Sequence, residues 1–331
     1  MNKQRKKYES SVFFRIPLMK ESYPMENVVS VHNLIKTFDK KPVLSGITFD
    51  VSRGEIFGFL GPNGSGKTTT IRILLGLLRP DSGSALVFRE SLETSDKTRG
   101  RVGVLLENNG LFDKLTAYEN LVYYAELYDI PDIQERISEL LEFTDLSSRK
   151  DTLVGTFSTG MKRKLGIARA ILHRPKVLFL DEPTSSLDPE AQKMVRDLIL
   201  NLSKDESMTV FLCSHNLDEI QKMCSRVAIL HGGKIKALDS VENLRENRGV
   251  TNVRITLSDV NQIDEALSVV STIPGVSDCS ETKTSFSFSF SGSSVSPVIS
   301  QLCSAGIGIE EVVKDRRSLE DIYIEIMREE A

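Results

Sequence analysis

The chain has 331 residues, of which 40% are hydrophobic and 27% charged, a balance typical of a globular protein with enough material for two domains. The net charge of −4 gives no support to a nucleic-acid partner, which favours a basic surface. No apolar stretch approaches the roughly 18 residues that a membrane-spanning helix needs, which excludes an integral membrane protein.

The first 24 residues differ from the rest in charge: six basic and two acidic side chains give them +4 and leave −8 on the remainder. Arg15 and Pro17 interrupt the apolar stretch that follows the basic start, and no small-residue cleavage site comes after it, so a secretory signal is disfavoured. We expect residues 1–24 to be a disordered basic extension, with a membrane-touching arm as the alternative.

The cysteines at positions 213, 224, 279 and 303 form no CxxC pair and have no histidine at the intervals of a zinc site. Reduced, buried thiols are therefore expected, rather than disulfides or metal ligands. Reduced thiols favour a cytoplasmic protein.

The strongest motif follows a short hydrophobic segment, "EIFGFL", which predicts a buried strand. Next comes "GPNGSGKTTTIRILLGLL", in which Gly61 to Thr68 fits the phosphate-loop pattern G-x-x-x-x-G-K-[ST]. Leucines then recur at helical spacing from Leu74 to Leu78, so the loop is expected to end at a helix N-terminus. A strand before the motif and a helix after it argue against a chance glycine-rich turn.

In such a loop, glycines let the backbone wrap closely around phosphates, so that its N–H groups point at them. Lys67 would place a positive charge at the β- and γ-phosphates, and the Thr68 hydroxyl would be a ligand of Mg²⁺. The predicted phosphate-binding residues are Gly61, Pro62, Asn63, Gly64, Ser65, Gly66, Lys67, Thr68 and Thr69.

Two adjacent carboxylates end the hydrophobic run of "KVLFLDEPTSSLDP", which predicts a second buried strand, in a parallel sheet. Two acids in this position are costly unless a cation or a reaction uses them. Asp181 fits a Mg²⁺ ligand, and Glu182 is placed to orient or deprotonate an attacking water. The alternative is a strand that simply ends in solvated acids.

A further segment, "MTVFLCSHNLDEI", repeats the pattern with a hydrophobic strand that ends in Ser214 and His215. Ligands of open α/β sheets bind at the carboxyl ends of the strands. His215 could therefore reach the γ-phosphate or the attacking water, although a lone histidine in such a place is more often structural.

From residue 28 to residue 238 the chain resembles the nucleotide-binding subunit of ABC transporters. "GPNGSGKTT" resembles the Walker A motif of that family, "VLFLDE" its Walker B motif, "SSLDP" its D-loop, "SH" its switch histidine and "FSTGM" its signature. The resemblance implies an α/β fold, a P-loop nucleotide-binding domain with an inserted helical subdomain. It also implies ATP and Mg²⁺ as cofactors, with Phe38 stacked on adenine.

The resemblance further implies a head-to-tail dimer with a second copy or a paralogous ATPase subunit, in which the signature of one subunit holds the γ-phosphate bound to the P-loop of the other. Ser158, Gly160 and the D-loop Asp188 would then serve the partner's nucleotide. The Ser158 hydroxyl, the Gly160 backbone and the dipole of the following helix would supply donors to the transferring phosphate. The basic residues 162–164 are expected to lie mostly on a solvated helix face.

Three positions depart from the family pattern. Thr159 stands where the signature usually has a second glycine, which alters the reach of the backbone but leaves the Ser158 hydroxyl. Glu107 stands where a glutamine usually couples the γ-phosphate to the membrane partner, and its carboxylate can bind Mg²⁺ but adds negative charge beside the phosphate. Phe38 replaces the commoner tyrosine and keeps the stacking surface without the hydroxyl.

Four of the seven tyrosines fall in "AYENLVYYAELYD", where Tyr124 and Tyr128 are predicted to share a helix face. They could pack against the neighbouring helix, predicted from Pro131 to Phe143, or form an aromatic groove for a short helix of a membrane subunit. Both alternatives stay open at this point. The resemblance places the coupling groove near Glu107 and this helix.

After residue 243 the nucleotide-domain pattern stops, and residues 250–331 are predicted to form a small α+β domain. Its segments alternate as β-α-β-β-α-β before a closing helix in "SLEDIYIEIMREE", which is typical of a ferredoxin-like module. Phe286, Phe288 and Phe290 alternate along one strand and are expected to form its core rather than a nucleic-acid stacking platform. This tail resembles the C-terminal extension of ATPases that serve drug and antibiotic exporters.

The sequence thus predicts the extension of residues 1–24, an ATP-binding domain of residues 25–243 with a helical subdomain at about 107–174, and an accessory domain of residues 250–331. The expected function is that of the ATP-binding and hydrolysing subunit of an ABC exporter. It would lie in the cytoplasm, on the inner face of the cell membrane, bound to a separate integral membrane permease and to no nucleic acid.

In this assignment Glu182 and His215 are the catalytic residues, and Thr68, Asp181 and Glu107 bind the metal. One alternative is a soluble ABC ATPase without a permease, of the translation or DNA-repair type. The single set of motifs, the lack of a long coiled-coil insertion and the acidic charge disfavour it. The other alternative is a nucleotide-dependent regulator with low turnover, which the departures at Glu107 and Thr159 keep open.

Overall fold

The computed structural model describes residues 26–205, 208–246, 251–282, 284–292, 294–315 and 318–328. The predicted extension of residues 1–24 lies outside them. None of the helices in these ranges combines the length and the apolar character needed to cross a membrane.

The larger part of the chain ends at residue 246 and contains nine strands and eight α-helices among its described residues. The strands are β1 (Asn27–Phe38), β2 (Lys41–Ser52), β3 (Ile56–Leu60), β4 (Ser82–Val87), β5 (Val102–Leu105), β6 (Val177–Asp181), β7 (Thr209–Ser214), β8 (Arg226–His231) and β9 (Lys234–Ser240). The helices are α1 (Lys67–Leu74), α2 (Asp96–Arg99), α3 (Ala117–Leu127), α4 (Ile133–Phe143), α5 (Thr159–Ile171), α6 (Pro189–Asp205), α7 (Leu217–Met223) and α8 (Val241–Glu246).

The remaining elements follow residue 250. They are β10 (Thr251–Leu257), α9 (Ile263–Ser271), β11 (Val276–Glu281), β12 (Ser285–Phe290), α10 (Ser296–Ser304), β13 (Ile309–Asp315) and α11 (Leu319–Arg328). Short 3-10 helices lie at Ser147–Arg149, Val154–Thr156 and Val260–Gln262.

A six-stranded sheet in the order β5-β6-β7-β3-β8-β9 forms the centre of the larger part. The first five strands in this order, β5, β6, β7, β3 and β8, are parallel, and β9 runs antiparallel at one edge. A second, antiparallel sheet has the order β2-β1-β4. Every residue of β3, β6 and β7 is buried, as predicted from their continuous hydrophobic runs, because a parallel sheet is covered on both faces.

Phenylalanines join these two sheets. Phe49 of β2 packs on Phe57 and Phe59 of β3, with ring centroids 5.5 and 5.2 Å away. Phe211 of β7 lies 5.9 Å from Phe49 and 5.4 Å from Phe179 of β6. All five rings are at most 2% exposed. This aromatic layer fixes β3, β6 and β7 relative to one another, and therefore also fixes the loops at their carboxyl ends.

Helix α1 begins at the end of the predicted phosphate loop but stops earlier than the leucine spacing predicts. Gly76 has a φ of +69°, a left-handed conformation that glycine adopts without strain. Its N–H donates to the Ile73 carbonyl (2.9 Å) and that of Leu77 donates to the Arg72 carbonyl (2.8 Å), which are the two hydrogen bonds of a Schellman motif. The prediction of helical structure through Leu78 is therefore wrong, and Leu77 is 67% exposed.

Helices α3, α4 and α5 contact one another and lie within residues 107–174, where the sequence predicts a helical subdomain. Tyr124 is half-buried against this helical core, whereas Tyr123 is exposed and meets the exposed ring of Phe112 edge to face, with centroids 5.0 Å apart. Tyr128 lies just beyond α3 and stacks on His173 at 4.2 Å rather than on α4. The tyrosines therefore divide between packing and an exposed aromatic patch.

The C-terminal elements follow the predicted β-α-β-β-α-β order and form an antiparallel sheet, β11-β12-β10-β13. Phe286, Phe288 and Phe290 are 1%, 1% and 5% exposed and share a core with α9 and α10, which confirms the core interpretation.

Two cysteines differ from expectation: Cys279 on β11 and Cys303 on α10 are exposed, because β11 lies at the edge of the sheet and Cys303 lies off the buried face of its helix.

The closing helix α11 packs on the larger part of the chain rather than on the core of the C-terminal sheet. Leu319, Ile322 and Ile326 are 0%, 2% and 7% exposed and belong to the same hydrophobic core as Ile220 of α7. The backbone N–H of Leu319 donates to Gln221 Oε1 of α7 (3.0 Å). The C-terminal sheet has a separate core. By its packing, α11 therefore belongs with the larger part.

We expect Ile322→Ala to lower the free energy of unfolding by about 2–5 kcal/mol, because it leaves a cavity in this shared core. Ile324→Ala on the same helix is the matched control: Ile324 is 42% exposed, and its loss should cost less than about 0.5 kcal/mol. Urea unfolding followed by circular dichroism measures both. Equal effects of the two substitutions would contradict the packing of α11 on α7.

Candidate nucleotide-binding site

The phosphate loop, the two carboxylates and the histidine line one cleft of about 420 Å³ at the carboxyl ends of β3, β6 and β7. Parallel strands bring these ends to the same edge, so motifs that are far apart in sequence meet there. The residues that line it are Phe38, Val43, Asn63, Gly64, Gly66, Lys67, Thr68, Thr69, Glu107, Asp181, Glu182, Ser185 and His215. Gly61, Pro62 and Ser65 lie in the loop without lining the cleft.

Glycines determine the shape of the loop. The φ angles of Gly64 and Gly66 are +81° and +113°, in the region that strains other residues. Gly61 lies so close to β8 that a Cβ atom there would come within 2.4 Å of the Leu230 carbonyl oxygen. Ser65 Oγ is buried and has no hydrogen-bond partner within the described ranges. The loop is thus a tight cradle with a buried hydroxyl that a phosphate oxygen could satisfy.

Lys67, the first residue of α1, is 6% exposed. Its Nζ donates to the carbonyl oxygens of Gly61 (2.7 Å) and Pro62 (3.3 Å), so the ammonium group lies inside the loop. The same Nζ is 3.6 Å from Glu182 Oε1. A buried cation held by backbone carbonyls at the edge of the cleft is well placed to pair with phosphate oxygens.

Thr68 and Asp181 form the part of the cleft that suits a divalent cation. The Thr68 hydroxyl donates to Asp181 Oδ2 (3.0 Å), and Asp181 is 3% exposed. The other carboxylate oxygen, Oδ1, is buried without a partner among the described residues. Burial raises the pKa of Asp181, the Thr68 hydrogen bond opposes this, and the charge of Glu182 adds to it. Oxygen donors with one carboxylate oxygen unpaired fit Mg²⁺.

Glu182 directly follows β6 with a φ of +51°, a left-handed conformation that costs a non-glycine residue about 1–3 kcal/mol. Its backbone N–H donates to the Cys213 carbonyl of β7 (3.0 Å), which holds the turn. Glu182 Oε2 lies 2.9 Å from His215 Nδ1, while Oε1 is buried and has no hydrogen bond within the described ranges. The strained turn thus places the carboxylate in the cleft, in contact with the histidine.

Phe38 and Val43 form one end of the cleft. Phe38 is 44% exposed at the end of β1, and Lys36 Nζ lies 5.4 Å from its ring centroid. Asp81 accepts hydrogen bonds from Lys36 Nζ (2.8 Å) and the Thr37 N–H (2.6 Å), which fixes the chain next to the ring. An exposed aromatic face beside the phosphate loop suits stacking of a nucleotide base.

Arg163 of α5 departs furthest from the predicted solvated face of residues 162–164, since Lys162 and Lys164 are half-buried and Arg163 is buried. It is 5% exposed, and its guanidinium donates to the Glu182 carbonyl oxygen (2.7 Å). It also donates to the Leu106 carbonyl (3.1 Å) and to Asn109 Oδ1 (2.9 Å). Arg163 therefore ties α5 both to the turn after β6 and to the segment that carries Glu107, which is exposed in the cleft.

The predicted signature residues lie elsewhere. Ser158 caps α5, with its Oγ accepting the Met161 N–H (3.2 Å), and Asp188 Oδ1 accepts the Ala191 N–H at the start of α6 (2.9 Å). Gly160 brings these two helices together, since a Cβ atom there would lie 3.0 Å from that of Ala191. Ser158, Gly160 and Asp188 do not occur among the described residues that line the cleft.

Sequence reasoning missed several residues of this region. Val43 and Ser185 line the cleft, and only their closeness in sequence to Phe38 and Glu182 could have indicated it. It also missed a buried carboxyl group, Glu219. Glu219 follows His215 by four positions, which is about one helical turn. This spacing could have indicated that it lies near the histidine.

Comparisons with known proteins bear on the family and the fold of the chain. The family model described as "ABC transporter" matches residues 44–185. The ABC transporter ATP-binding protein YhcH of Bacillus subtilis (strain 168), itself uncharacterised, is 35% identical over 308 residues, covering 92% of this chain and 97% of that protein. The bacitracin transport ATP-binding protein BcrA of Bacillus licheniformis is 40% identical over 239 residues, covering 72% and 78%.

Among solved structures, CbiO1 of Clostridium perfringens, described as part of the ABC transporter complex CbiONQ, superposes with a TM-score of 0.62 at 27% identity. The match covers 67% of this chain and 92% of that one. It supports the predicted α/β fold of a P-loop ATP-binding domain. The chain belongs to the ATP-binding proteins of ABC transporters.

Proposed function

We propose that the chain binds Mg-ATP in this cleft and hydrolyses it to drive a separate membrane permease that exports its cargo. The observation that carries the proposal is that Lys67, the Thr68–Asp181 pair and the Glu182–His215 pair converge on one cleft. Such a set can hold a triphosphate, a cation and an attacking water together. The name of a relative that is 40% identical, the fluoroquinolones export ATP-binding protein Rv2688c of Mycobacterium tuberculosis (strain ATCC 25618 / H37Rv), supports the choice of an exporter.

The triphosphate would lie on the loop of residues 61–69, with Lys67 between its β- and γ-phosphates. Thr68, Asp181 and Glu107 would hold Mg²⁺, which neutralises charge on the phosphate oxygens as a Lewis acid when it is bound. The unpaired Asp181 Oδ1 supports this assignment. At the other end of the cleft, the exposed ring of Phe38 would stack on adenine.

Glu182 would act as the general base. Its carboxylate takes a proton from water, the water oxygen bonds to the γ-phosphorus, and the bond to the β-phosphate bridging oxygen breaks to give ADP and inorganic phosphate. His215 holds Glu182 Oε2 at 2.9 Å, which leaves Oε1 to meet the water. Lys67 Nζ lies 3.6 Å from Glu182 Oε1, and it would pair with the phosphates instead when they are bound.

The signature face would complete the site of a partner ATPase subunit, either a second copy or a paralogue. Ser158, Gly160 and Asp188 lie together where α5 and α6 begin, and none of them lines the cleft of its own chain. The start of α5 offers a helix dipole and backbone N–H groups to a phosphate on a facing molecule. Two subunits related head to tail would thus enclose two ATP molecules.

The permease would bind at the exposed aromatic patch of the helical subdomain. Phe112, Tyr123 and Leu127 are 43%, 48% and 67% exposed, and Tyr123 and Leu127 lie four residues apart on α3. Aromatic residues are enriched in protein interfaces, and this patch suits the apolar face of a short helix. Binding there would place the chain on the inner face of the cell membrane, in the cytoplasm.

A nucleotide-dependent regulator with low turnover is the second candidate, and one observation favours it. Glu107 is exposed in the cleft that Asp181 and Glu182 also line, so a bound triphosphate would meet three carboxylates there. A further carboxylate beside the γ-phosphate also disfavours the build-up of negative charge in the transition state. The turnover number of the full chain with and without its permease separates a regulator from a transport ATPase.

Glu182→Gln should keep ATP affinity and slow hydrolysis by about 10²- to 10⁴-fold, because the general base is lost while the phosphate contacts stay. It should also accumulate an ATP-bound dimer on gel filtration. Asp218→Asn removes an exposed carboxylate from α7 and is the control, with no change expected. If Glu182→Gln hydrolyses ATP like the wild type, the base lies elsewhere and Glu107 is the first candidate.

Ser158→Arg should bind ATP almost normally but lose hydrolysis, because the bulky side chain fills the place where the facing γ-phosphate docks. Lys67→Ala should lose ATP binding, because the loop loses its cation. In a head-to-tail heterodimer of these two variants, one composite site carries both lesions and the other carries neither. Mixing them should therefore restore part of the ATPase activity, measured as phosphate release.

A site built within one chain predicts the opposite outcome, since each subunit would keep its own lesion. Heterodimer formation is checked with two affinity tags. If tagged heterodimers form and no activity returns, the trans arrangement is wrong.

A further inference from the structure

Glu219 is a buried carboxyl group that the proposed reaction leaves unused. It lies in the first turn of α7, four residues after His215, and is 4% exposed. Asn216 caps this helix through the N–H groups of Asp218 (3.0 Å) and Glu219 (3.3 Å). Because Asn216 directly follows His215, the cap joins the histidine to the helix that carries Glu219. A carboxyl group buried at this cost needs a partner.

Thr184 is that partner. Its hydroxyl donates a hydrogen bond to Glu219 Oε2, and the threonine is 3% exposed. Thr184 lies two residues after Glu182 in a tightly folded loop: φ is +51° at Glu182 and +63° at Ser186. The N–H of Ser185 donates to the Glu182 carbonyl (3.3 Å), and that of Leu187 donates to the Thr184 carbonyl (3.3 Å). The bond to Glu219 is thus an external anchor of this loop.

The loop after β6 and the segment 215–219 at the start of α7 are therefore joined by two contacts. At the cleft, Glu182 Oε2 meets His215 Nδ1 at 2.9 Å. Away from the cleft, Thr184 meets Glu219. Neither Thr184 nor Glu219 is among the described residues that line the cleft, so neither touches a nucleotide there. The buried contact fixes how far the loop after β6 stands from the start of α7.

We propose that Glu219 is a positioning residue for hydrolysis, which acts through Thr184 to hold Glu182 in contact with His215. The proposal rests on the proposed function of Glu182 as the general base. Loss of the buried hydrogen bond frees a strained loop, and the carboxylate moves away from the line of attack. A displacement of about 1 Å in a reacting group is enough to lower a rate 100-fold.

The chemistry of the pair defines a conservative variant. Burial raises the pKa of Glu219, which favours the neutral form, and the hydrogen bond from Thr184 opposes the rise. Thr184 is the donor, so the carbonyl oxygen of a glutamine at position 219 can still accept. Glu219→Gln therefore keeps the contact and Glu219→Ala removes it. Thr184→Ser and Thr184→Val form the matching pair on the other side.

The experiment measures kcat and KM for ATP hydrolysis in the full chain, with ATP affinity measured separately by calorimetry. Glu219→Ala and Thr184→Val should each lower kcat by about 10- to 100-fold at unchanged ATP affinity, because only the orientation of Glu182 is lost. Glu219→Gln and Thr184→Ser should stay within about threefold of the wild type, because the hydrogen bond remains. The double variant should be no slower than the slower single one, since both remove one contact.

Asp218→Ala is the control for loss of an acidic side chain from α7, and its kcat should stay within about twofold of the wild type, as for an exposed residue. A purely structural role for Glu219 predicts something else: a lower melting temperature and weaker ATP binding in Glu219→Ala. That pattern overturns the proposal, as does a normal kcat in Glu219→Ala or Thr184→Val.

Glu182→Gln, measured in parallel, keeps the two proposals apart. If Glu182→Gln is slow while Glu219→Ala is normal, Glu182 remains the base and only the positioning role is wrong. If Glu182→Gln is as active as the wild type, the base assignment is wrong, and the positioning proposal falls with it.

Discussion

The placement of two adjacent carboxylates at the end of a fully buried strand is the constraint on which the rest of the site depends. Asp181 and Glu182 would be costly there if they were left alone. The structure surrounds them with compensating groups: the Thr68 hydroxyl at 3.0 Å, the Lys67 ammonium at 3.6 Å and the His215 ring at 2.9 Å. Two carboxylate oxygens, Asp181 Oδ1 and Glu182 Oε1, still accept no hydrogen bond from the described residues. A cation and a water molecule are the ligands that such oxygens suit.

The turn that follows these acids also connects separate parts of the molecule. Glu182 has a strained backbone, and its carbonyl oxygen accepts from Arg163 of α5 at 2.7 Å. The same arginine reaches the segment next to Glu107, and α5 begins at the signature serine. The helical subdomain, with its exposed aromatic patch, is thereby connected to the turn after β6 through one buried guanidinium group.

Sequence reasoning found what is local and strongly patterned. The phosphate loop, the acids after β6 and His215 each stand at the end of a hydrophobic run, and the rule that strand ends meet at one edge placed them together. Sequence reasoning failed for features of the structure that depend on contacts between distant segments. Arg163 looks like any basic residue of a surface helix, and its 5% exposure is decided by neighbours in the segments that follow β5 and β6. Helix α1 ends early because Gly76 adopts a left-handed conformation. The prediction from sequence gave more weight to the leucine spacing than to this glycine. The pairing of Thr184 with Glu219 joins residues 35 positions apart.

The packing of α11 changes how the C-terminal part should be regarded. The four-stranded sheet stands in the sequence between α8 and α11, and these two helices contact each other on the larger domain. The sheet is therefore an insertion with neighbouring ends rather than a tail. Modules of this kind can be exchanged or lost between relatives without opening the core of their host, because the chain leaves and returns at one place. A family member could thus acquire a different module here while its last helix stays constant, and alignments of such proteins should resume at the C-terminus after a variable middle.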